Sequence, residues 1–199
     1  MTLPQSLLTD IERIPRDRPV ALLMRHSNRY PIIDPAKNYE VGLTEEGVQL
    51  AEQFGKFLSS RFMPGRVMSS PVTRCVDTAA AIARGAGWTV AVVPHHLLSH
   101  EHIASAWSLA ELGRCAGEAP AEVLATLALL LKSERGTPVL EVMVTHDTIV
   151  GAVAACVLNA SIVGNDWPLF LEGIFFWEAE DGVHAVWRGE EQVLKEVYL

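Results

Sequence analysis

The chain has 199 residues, of which 49% are hydrophobic and 20% are charged, and this composition is typical of one soluble globular domain spanning residues 1–199. Its formal net charge of −8 argues against a general binder of nucleic acid or of acidic membranes, because such proteins normally present a basic face. Any anion-binding site must therefore be local.

Short apolar runs alternate with helical patterns through the first half of the chain. The run VALLM at 20–24 is continuously apolar, which predicts a strand buried on both faces. Thr44, followed by two acidic residues, is typical of a helix start. The predicted elements are helices over 5–14, 43–62 and 71–87 and strands over 20–24, 66–70 and 88–94.

The second half predicts a helix-rich segment, a further strand–helix unit and a hairpin. These elements are the helix-rich segment over 95–137, a strand over 139–146, a helix over 147–158 and a hairpin over 173–189. Strands that alternate with helices predict a three-layer α/β/α sandwich, with a mainly parallel sheet and helices on both faces. We expect the segment over 95–137 to form a small helical cap and the hairpin to complete the sheet.

Neither a membrane span nor a disulfide framework is predicted. The longest apolar candidate, residues 139–158, carries Glu141, His146 and Asp147, and charges at membrane depth are costly. The three cysteines are widely spaced and form no CxxC pair, which favours reduced thiols. With no signal peptide evident, we expect a cytoplasmic protein.

Polar side chains follow three of the predicted strands, at the point where each strand ends. Arg25 and His26 follow the first strand, and Arg74 lies shortly after the second. His146 and Asp147 follow the strand over 139–146. Because ligands in such sheets lie beyond the carboxyl ends of the strands, we expect these side chains to form one site.

The residue types at this site favour phosphate chemistry. Arg25, Arg29 and Arg74 offer planar donor groups for a tetrahedral oxyanion, and each charged hydrogen bond contributes roughly 1.5–3 kcal/mol. A neutral imidazole among cations is a nucleophile suited to phosphoryl transfer, which favours His26 in that role. An acid must then protonate the departing oxygen, and Asp147 is available at a predicted helix start.

The same residues lie in motifs that resemble those of the histidine phosphatase superfamily. RHSNRYP is similar to its RHGxRxP signature, SSPVTRCVDTA to SPxxRxxxTA, LTEEGVQLA to LTxxGxxxA, and VTHDTIVG to its HD motif. The resemblance implies a phosphoglycerate mutase-like fold and a phosphatase that needs no cofactor and forms a phosphohistidine on His26. It also implies a phosphate pocket and a proton donor, the pocket formed by Arg25, Arg29, Arg74 and His146 and the donor being Asp147. The RxP extension and the HD pair are closer to the acid phosphatase and phytase branch.

One departure from the family pattern leaves alternatives open. Ser27 stands where the family has glycine, so activity would fall or phosphate binding would change if that position needs a positive φ or a close approach of phosphate. The alternatives are a phosphoglycerate mutase-like phosphoryl transfer with Glu101 as the acid, or a non-catalytic phosphate-binding module. The expected partner is a phosphorylated small molecule or a phosphoprotein.

A histidine-rich stretch raises the question of a metal site. His96 and His100 have the i, i+4 spacing that zinc ligands can use on one helix face. No aspartate-rich motif accompanies them, and Leu97 and Leu98 between them favour packing. We therefore predict that the chain binds no metal.

Overall fold

The computed structural model describes residues 2–99, 121–131, 138–162 and 164–194. The strands are β1 Val20–Arg25, β2 Met63–Ser69, β3 Val92–Pro94, β4 Val139–Thr145, β5 Gly173–Ala179, β6 Gly182–Trp187 and β7 Glu190–Leu194. The helices of these ranges are α1 Gln5–Asp10, α2 Glu45–Ser59, α3 Thr73–Ala86, α4 Ala121–Leu130 and α5 Asp147–Leu158. Short 3₁₀ turns lie at Pro35–Glu40, His96–Leu98 and Gly164–Asp166.

The strands form one seven-stranded sheet in the order β3-β2-β4-β1-β5-β6-β7. The first four strands of that order are parallel to one another, whereas β5, β6 and β7 each run antiparallel to the neighbour before them. The last residues of β1, β2 and β4 share one edge, because Arg25 pairs with Thr145, and Ser69 pairs with Val144. This edge is where the polar residues were expected.

Helices cover both faces of the sheet, which confirms the predicted three-layer sandwich. Alternate residues of β1 face opposite layers: Leu22 and Met24 pack in the core under α1, α2 and α3. Ala21 and Leu23 pack in the core under α4 and α5. Burial on both faces is the reason that the run VALLM shows no polar alternation.

Several element boundaries differ from the predictions and one strand was missed; β2, for example, begins at Met63 and not at residue 66. The helix over 5–14 ends at Asp10, and the strand over 88–94 is reduced to Val92–Pro94. Trp88 donates its N–H to the carbonyl of Ala83 at 2.9 Å, so the chain is still completing the end of α3 where a strand was expected. The predicted hairpin exists, but β7 was missed because its residues are largely exposed and give no alternating apolar signal.

The predicted helical cap over 95–137 falls partly outside the described residues. Within the described part, α4 places Val123 and Leu127 in the core of the second face, together with residues of α5. This helix therefore belongs to the layer that covers the sheet. The assignment of the rest of the segment as a cap stays a prediction.

The cysteines differ from the expectation. Cys75 is a free, buried thiol, but Cys156 is disulfide-bonded, so the prediction of reduced thiols is wrong for Cys156. A disulfide is unusual in a reducing cytoplasm, so the cysteines do not support the expected cytoplasmic location. Among the residues described, no helix has the length and apolar character that a membrane span needs.

Candidate active site

A small cavity of about 160 Å³ lies at the carboxyl edge of the parallel strands. The sequence predicted a site from residues at the ends of β1 and β4 and in the first turn of α3, and the structure brings all of them to this cavity. Its lining consists of Arg25, His26, Arg29, Ile32, Asn38, Arg74, His146 and Asp147. The roles assigned to these residues remain predictions.

His26 lies just after β1 and is only 3% exposed. Its Nδ1 is 2.7 Å from the carbonyl oxygen of Ser27, and a carbonyl only accepts, so Nδ1 carries the proton. The lone pair of the neutral ring is therefore on Nε2. Burial, with a further contribution from the charges of Arg74 and Arg25, lowers the pKa of His26 to about 3. The imidazole is thus neutral at physiological pH.

Arg74, in the first turn of α3, joins the two histidines of the site. Its Nε donates to Nε2 of His26 at 3.1 Å, and its Nη2 lies 3.3 Å from Nδ1 of His146. Its Nη1 donates to the carbonyl of Asn38 at 2.7 Å. These three bonds fix the guanidinium plane against the nucleophile candidate, and burial lowers the pKa of Arg74.

His146 precedes α5 and is buried beside His26, and both rings contact Arg74. The rings of the two histidines lie 5.7 Å apart and nearly perpendicular, at 74°. Nε2 of His146 is 3.0 Å from Oγ of Ser70 and 3.6 Å from Sγ of Cys75. The sequence motifs assign Ser70 no role, so this contact was not predicted.

Arg25 and Asp147 form an ion pair, with Nη2 of the arginine 2.8 Å from Oδ2 of the carboxylate. Nη1 of Arg25 donates to the carbonyl of Pro168 at 2.7 Å, and the guanidinium lies 4.0 Å above the ring of Phe170. Burial lowers the pKa of Arg25. Arg25, which was predicted to bind phosphate, is therefore already paired with Asp147, the predicted proton donor.

Arg29 is held less tightly than the other two arginines. Its Nη1 donates to the carbonyl of Tyr30 at 2.9 Å in an exposed setting, and its backbone forms an isolated bridge with Leu43. The half-buried side chain also lines the cavity.

Ser27, the departure from the family pattern, does not have the positive φ that would favour glycine at this position. Among the described residues other than glycine, positive φ occurs only at Asn159, Leu171 and Arg188. The Ser27 hydroxyl points into the protein and donates to the carbonyl of Gly47 at 2.7 Å. The backbone reason for expecting reduced activity is therefore absent.

Gly47 allows the first turn of α2 to pack closely on the loop that carries His26. A Cβ at this position would lie 2.1 Å from the carbonyl oxygen of Asn28, which is closer than a carbon and an oxygen that are not bonded can approach. That carbonyl also accepts from the N–H of Thr44 at 3.0 Å, while Oγ1 of Thr44 caps the N–H of Gly47. The start of α2 thus packs directly on the loop that carries His26.

A largely buried ion pair supports the segment that contacts Arg25, and no local sequence pattern predicts it. Arg188 donates from Nε and Nη2 to the carboxylate of Glu172, both at 2.8 Å, and the N–H of Leu169 donates to the same carboxylate at 2.8 Å. Burial raises the pKa of Glu172, but the bonds from Arg188 and Leu169 outweigh it and leave that pKa below its usual value. The carbonyl of Glu172 accepts from the N–H of Arg25 at 2.9 Å.

The alternative acid and two of the four histidines of the histidine-rich stretch lie outside the described residues. Glu101, His100 and His102 fall in that part of the chain. The rings of His95 and His96 stack 4.9 Å apart at 18°. Within the ranges the structure describes, no three residues of metal-ligating type come together to hold an ion.

Comparison with protein families gives one match. The model of the histidine phosphatase superfamily (branch 1) matches residues 22–99, which include His26 and Arg74 but not His146. The match supports the superfamily that the motifs indicate. The closer resemblance to the acid phosphatase and phytase branch is not confirmed, because the matching model is that of branch 1. No curated protein matches the chain.

Several solved structures share the fold. A phosphoserine phosphatase variant from Entamoeba histolytica, in complex with phosphoserine, has a TM-score of 0.57 at 14% identity over 91% of this chain and 100% of that one. A phosphoglycerate mutase from Bacillus anthracis str. Sterne has a TM-score of 0.55 at 12% identity, covering 96% of this chain and 95% of its own. The protein histidine phosphatase SixA complexed with tungstate gives 0.52 at 15%, covering 87% and 96%. These likenesses confirm the phosphoglycerate mutase-like fold.

Proposed function

We propose that this chain is a phosphatase of the histidine phosphatase superfamily, which hydrolyses a phosphomonoester through a phosphohistidine on His26. One observation carries the proposal: the lone pair of a buried, neutral imidazole faces a cavity of arginines, with Nε2 held 3.1 Å from Arg74. A nucleophile of this kind needs no proton removed before it attacks. The surrounding cations would disperse the charge of the transferring phosphoryl group.

The size of the cavity supports a phosphoryl group as the part of the substrate that enters. Pockets that enclose a whole small molecule measure roughly 300–1,000 Å³, whereas this one measures about 160 Å³. The described residues that line the cavity therefore enclose only the phosphoryl group and leave the rest of the substrate outside. This arrangement fits phosphomonoesters borne by small molecules or by proteins, and the neighbour that binds phosphoserine favours a phosphorylated small molecule.

In the first step, Nε2 of His26 attacks phosphorus while the bond from phosphorus to the leaving oxygen breaks. Arg74 turns its Nε–H from Nε2 of His26 to the phosphoryl oxygens, which frees the lone pair for attack. Arg29 binds these oxygens as well, and Arg25 turns from Asp147 toward them. The substrate enters as its monoanion; the Asp147 carboxylate, released from that ion pair, takes the substrate's proton and passes it to the leaving oxygen, and an alcohol departs. The carbonyl of Ser27 keeps the ring oriented, because it accepts from Nδ1 at 2.7 Å throughout.

In the second step, a water molecule attacks the phosphohistidine. The carboxylate of Asp147 takes a proton from that water as the new bond to phosphorus forms and the bond to Nε2 breaks. Inorganic phosphate leaves, and His26 returns to the neutral form with its lone pair on Nε2. Asp147 gives this proton to the phosphate as it departs, and its carboxylate pairs with Arg25 again, so each group is restored for another cycle.

A phosphoryl intermediate is the direct test of this mechanism. During turnover of p-nitrophenyl phosphate, the enzyme is quenched in base and searched by mass spectrometry for a phosphoryl group that is lost in acid. We expect the label on His26, no turnover in His26→Ala, and normal turnover in His184→Gln, a histidine outside the cavity. We also expect EDTA to leave the activity unchanged.

Other outcomes identify the alternatives. Full activity in His26→Ala, or a label on serine or cysteine, would overturn the mechanism. Binding of inorganic phosphate without any turnover would indicate a phosphate-binding module. Transfer of the label to a second hydroxyl in place of water would favour a mutase-like reaction, which the phosphoglycerate mutase neighbour makes the second candidate.

A further inference from the structure

Ser70 touches the second histidine of the site but not the cavity itself. It follows β2 and is fully buried, and its N–H donates to the carbonyl of Val144 at 2.8 Å, which fixes its position. Its hydroxyl oxygen lies 3.0 Å from Nε2 of His146. The mechanism above gives Ser70 no part.

The hydrogen-bond partners of His146 define where its proton lies in the free protein. A guanidinium group only donates, so Nδ1, which lies 3.3 Å from Nη2 of Arg74, must accept. A neutral ring has one proton, which then lies on Nε2. The hydroxyl of Ser70 is therefore the acceptor in this state.

A bound phosphoryl group requires the opposite arrangement. The nitrogen of His146 on the side of the cavity is Nδ1, because its partner Arg74 lines the cavity. Oxygens of a phosphate dianion only accept hydrogen bonds, so a lone pair on Nδ1 would repel them. The neutral ring of His146 can bind phosphate well only with its proton on Nδ1. Its Nε2 then has a lone pair and needs a hydrogen-bond donor.

Resting on the proposed function, we infer that Ser70 is a positioning residue whose hydroxyl lets His146 change tautomer when a phosphoryl group binds. A hydroxyl both donates and accepts, so it turns from acceptor to donor as the proton of the ring moves from Nε2 to Nδ1. The ring stays neutral and gains no proton. Arg74 is released from Nδ1 at the same time and binds the phosphoryl oxygens with that N–H.

The neighbouring thiol does not replace this function. Sγ of Cys75 lies 3.6 Å from Nε2 of His146 and 3.5 Å from the carbonyl of Thr145. Burial raises the pKa of Cys75 to about 12, so no thiolate is present to hold His146 as an imidazolium. A thiol is also a weak donor and a weak acceptor, so the hydroxyl is the stronger partner in both states.

Nitrogen NMR of the wild-type protein tests the inference without any variant. The ¹⁵N shifts of the His146 ring should report a proton on Nε2 in the free protein and on Nδ1 with inorganic phosphate bound. A proton that stays on Nε2 in the complex would overturn the inference. Protons on both nitrogens would overturn it as well, because Ser70 would then remain an acceptor.

Variants of the two adjacent serines give the second test. Ser70→Ala should weaken inhibition by inorganic phosphate roughly tenfold, the effect of one lost buried hydrogen bond, and Ser70→Thr should restore it. Ser69→Ala is the matched control, because the Ser69 hydroxyl is equally buried but has no hydrogen-bond partner among the described residues. Equal inhibition in Ser70→Ala and Ser69→Ala would overturn the inference. The proposed function is tested separately by the label on His26, and the NMR measurement needs no turnover, so failure of the inference is distinguishable from failure of the proposed function.

Discussion

Arg25 and Asp147 are bound to each other in the structure, with Nη2 and Oδ2 only 2.8 Å apart. The side chain of Arg25 is 13% exposed and that of Asp147 is 28% exposed, so the pair is partly shielded from water. A substrate phosphate must compete with Asp147 for Arg25. In the proposed mechanism, that competition couples substrate binding to the release of the Asp147 carboxyl group, the proposed proton donor.

Replacement of Asp147 should therefore depend on the leaving group. We expect Asp147→Asn to slow the release of simple alcohols severely, because an alkoxide needs a proton to depart, and to slow p-nitrophenol release much less. The measurement is kcat for an alkyl phosphate and for p-nitrophenyl phosphate in both proteins. Asp17→Asn, at an exposed position, serves as the control. An equal loss with both substrates, or the same dependence in Glu101→Gln, would contradict the assignment to Asp147.

Arg74 should not be replaceable by lysine. An ammonium group is a single point of charge and cannot donate to His26, His146 and the carbonyl of Asn38 together, as the guanidinium does. Loss of one charged hydrogen bond of roughly 1.5–3 kcal/mol corresponds to inhibition by inorganic phosphate that is about 10- to 150-fold weaker. Arg84→Lys, on the exposed side of α3, should leave inhibition unchanged, and similar values for the two variants would remove Arg74 from the phosphate pocket.

The depressed pKa of His26 predicts acid sensitivity of the fold. In the folded protein this pKa is about 3, below the value of about 6.5 expected in the unfolded chain. Between these values only the unfolded chain binds the proton, so the free energy of unfolding should fall as the pH drops from 6.5 toward 3. Urea unfolding at pH 7.5 and pH 5 measures this fall, which should be smaller in His26→Gln.

His184 provides a control of opposite sign. Hydrogen bonds from its ring to Asp181 and Glu191 raise its pKa, so its stabilising effect is present below pH 6.5 and is lost as the pH rises through the folded pKa. His184→Gln should therefore make the loss of stability on acidification larger. If both variants changed the pH dependence in the same direction, the assignment to His26 would be wrong.

Much of the site was predictable because its residues are adjacent to strand ends. The apolar run before Arg25 and the strand before His146 both have strong sequence signals, and topology alone brings their ends together. Phe170 and Pro168, which contact Arg25 from 143 or more positions away, have no such signal. Their contribution depends on the tertiary structure of the segment before β5, which no local pattern specifies.

Gly47 should tolerate no side chain, since the Cβ of alanine would meet the carbonyl oxygen of Asn28 at 2.1 Å. Backbone cannot rotate away as a side chain can, so α2 or the loop that carries His26 must move. Overpacking typically costs about 1–3 kcal/mol, and we expect Gly47→Ala to lose stability in this range together with activity. Gly42→Ala is the control, because its Cβ would meet its nearest neighbour at an ordinary 3.6 Å. Equal stability of the two variants in urea unfolding would contradict the close approach.

The ion pair between Glu172 and Arg188 should affect both stability and phosphate binding. Glu172 is 2% exposed, and Arg188→Met would leave its carboxylate buried without its cation. Breaking a buried pair on one side costs roughly 3–5 kcal/mol, and we expect about 3, because Arg188 is partly exposed. Inhibition by inorganic phosphate should weaken as well, because the same carboxylate orders Leu169 next to the Pro168 carbonyl that binds Arg25.

A second substitution separates these two effects. Glu172→Gln added to Arg188→Met removes the buried charge and should recover part of the lost free energy of unfolding. It should not recover phosphate inhibition, because an amide presents one acceptor oxygen where the carboxylate bound both Leu169 and Ser6 through two. Arg18→Met, in an exposed pair with Asp17, should change neither quantity. If Arg188→Met lost stability while inhibition by inorganic phosphate stayed at the wild-type level, the pair would stabilise the fold without positioning Arg25.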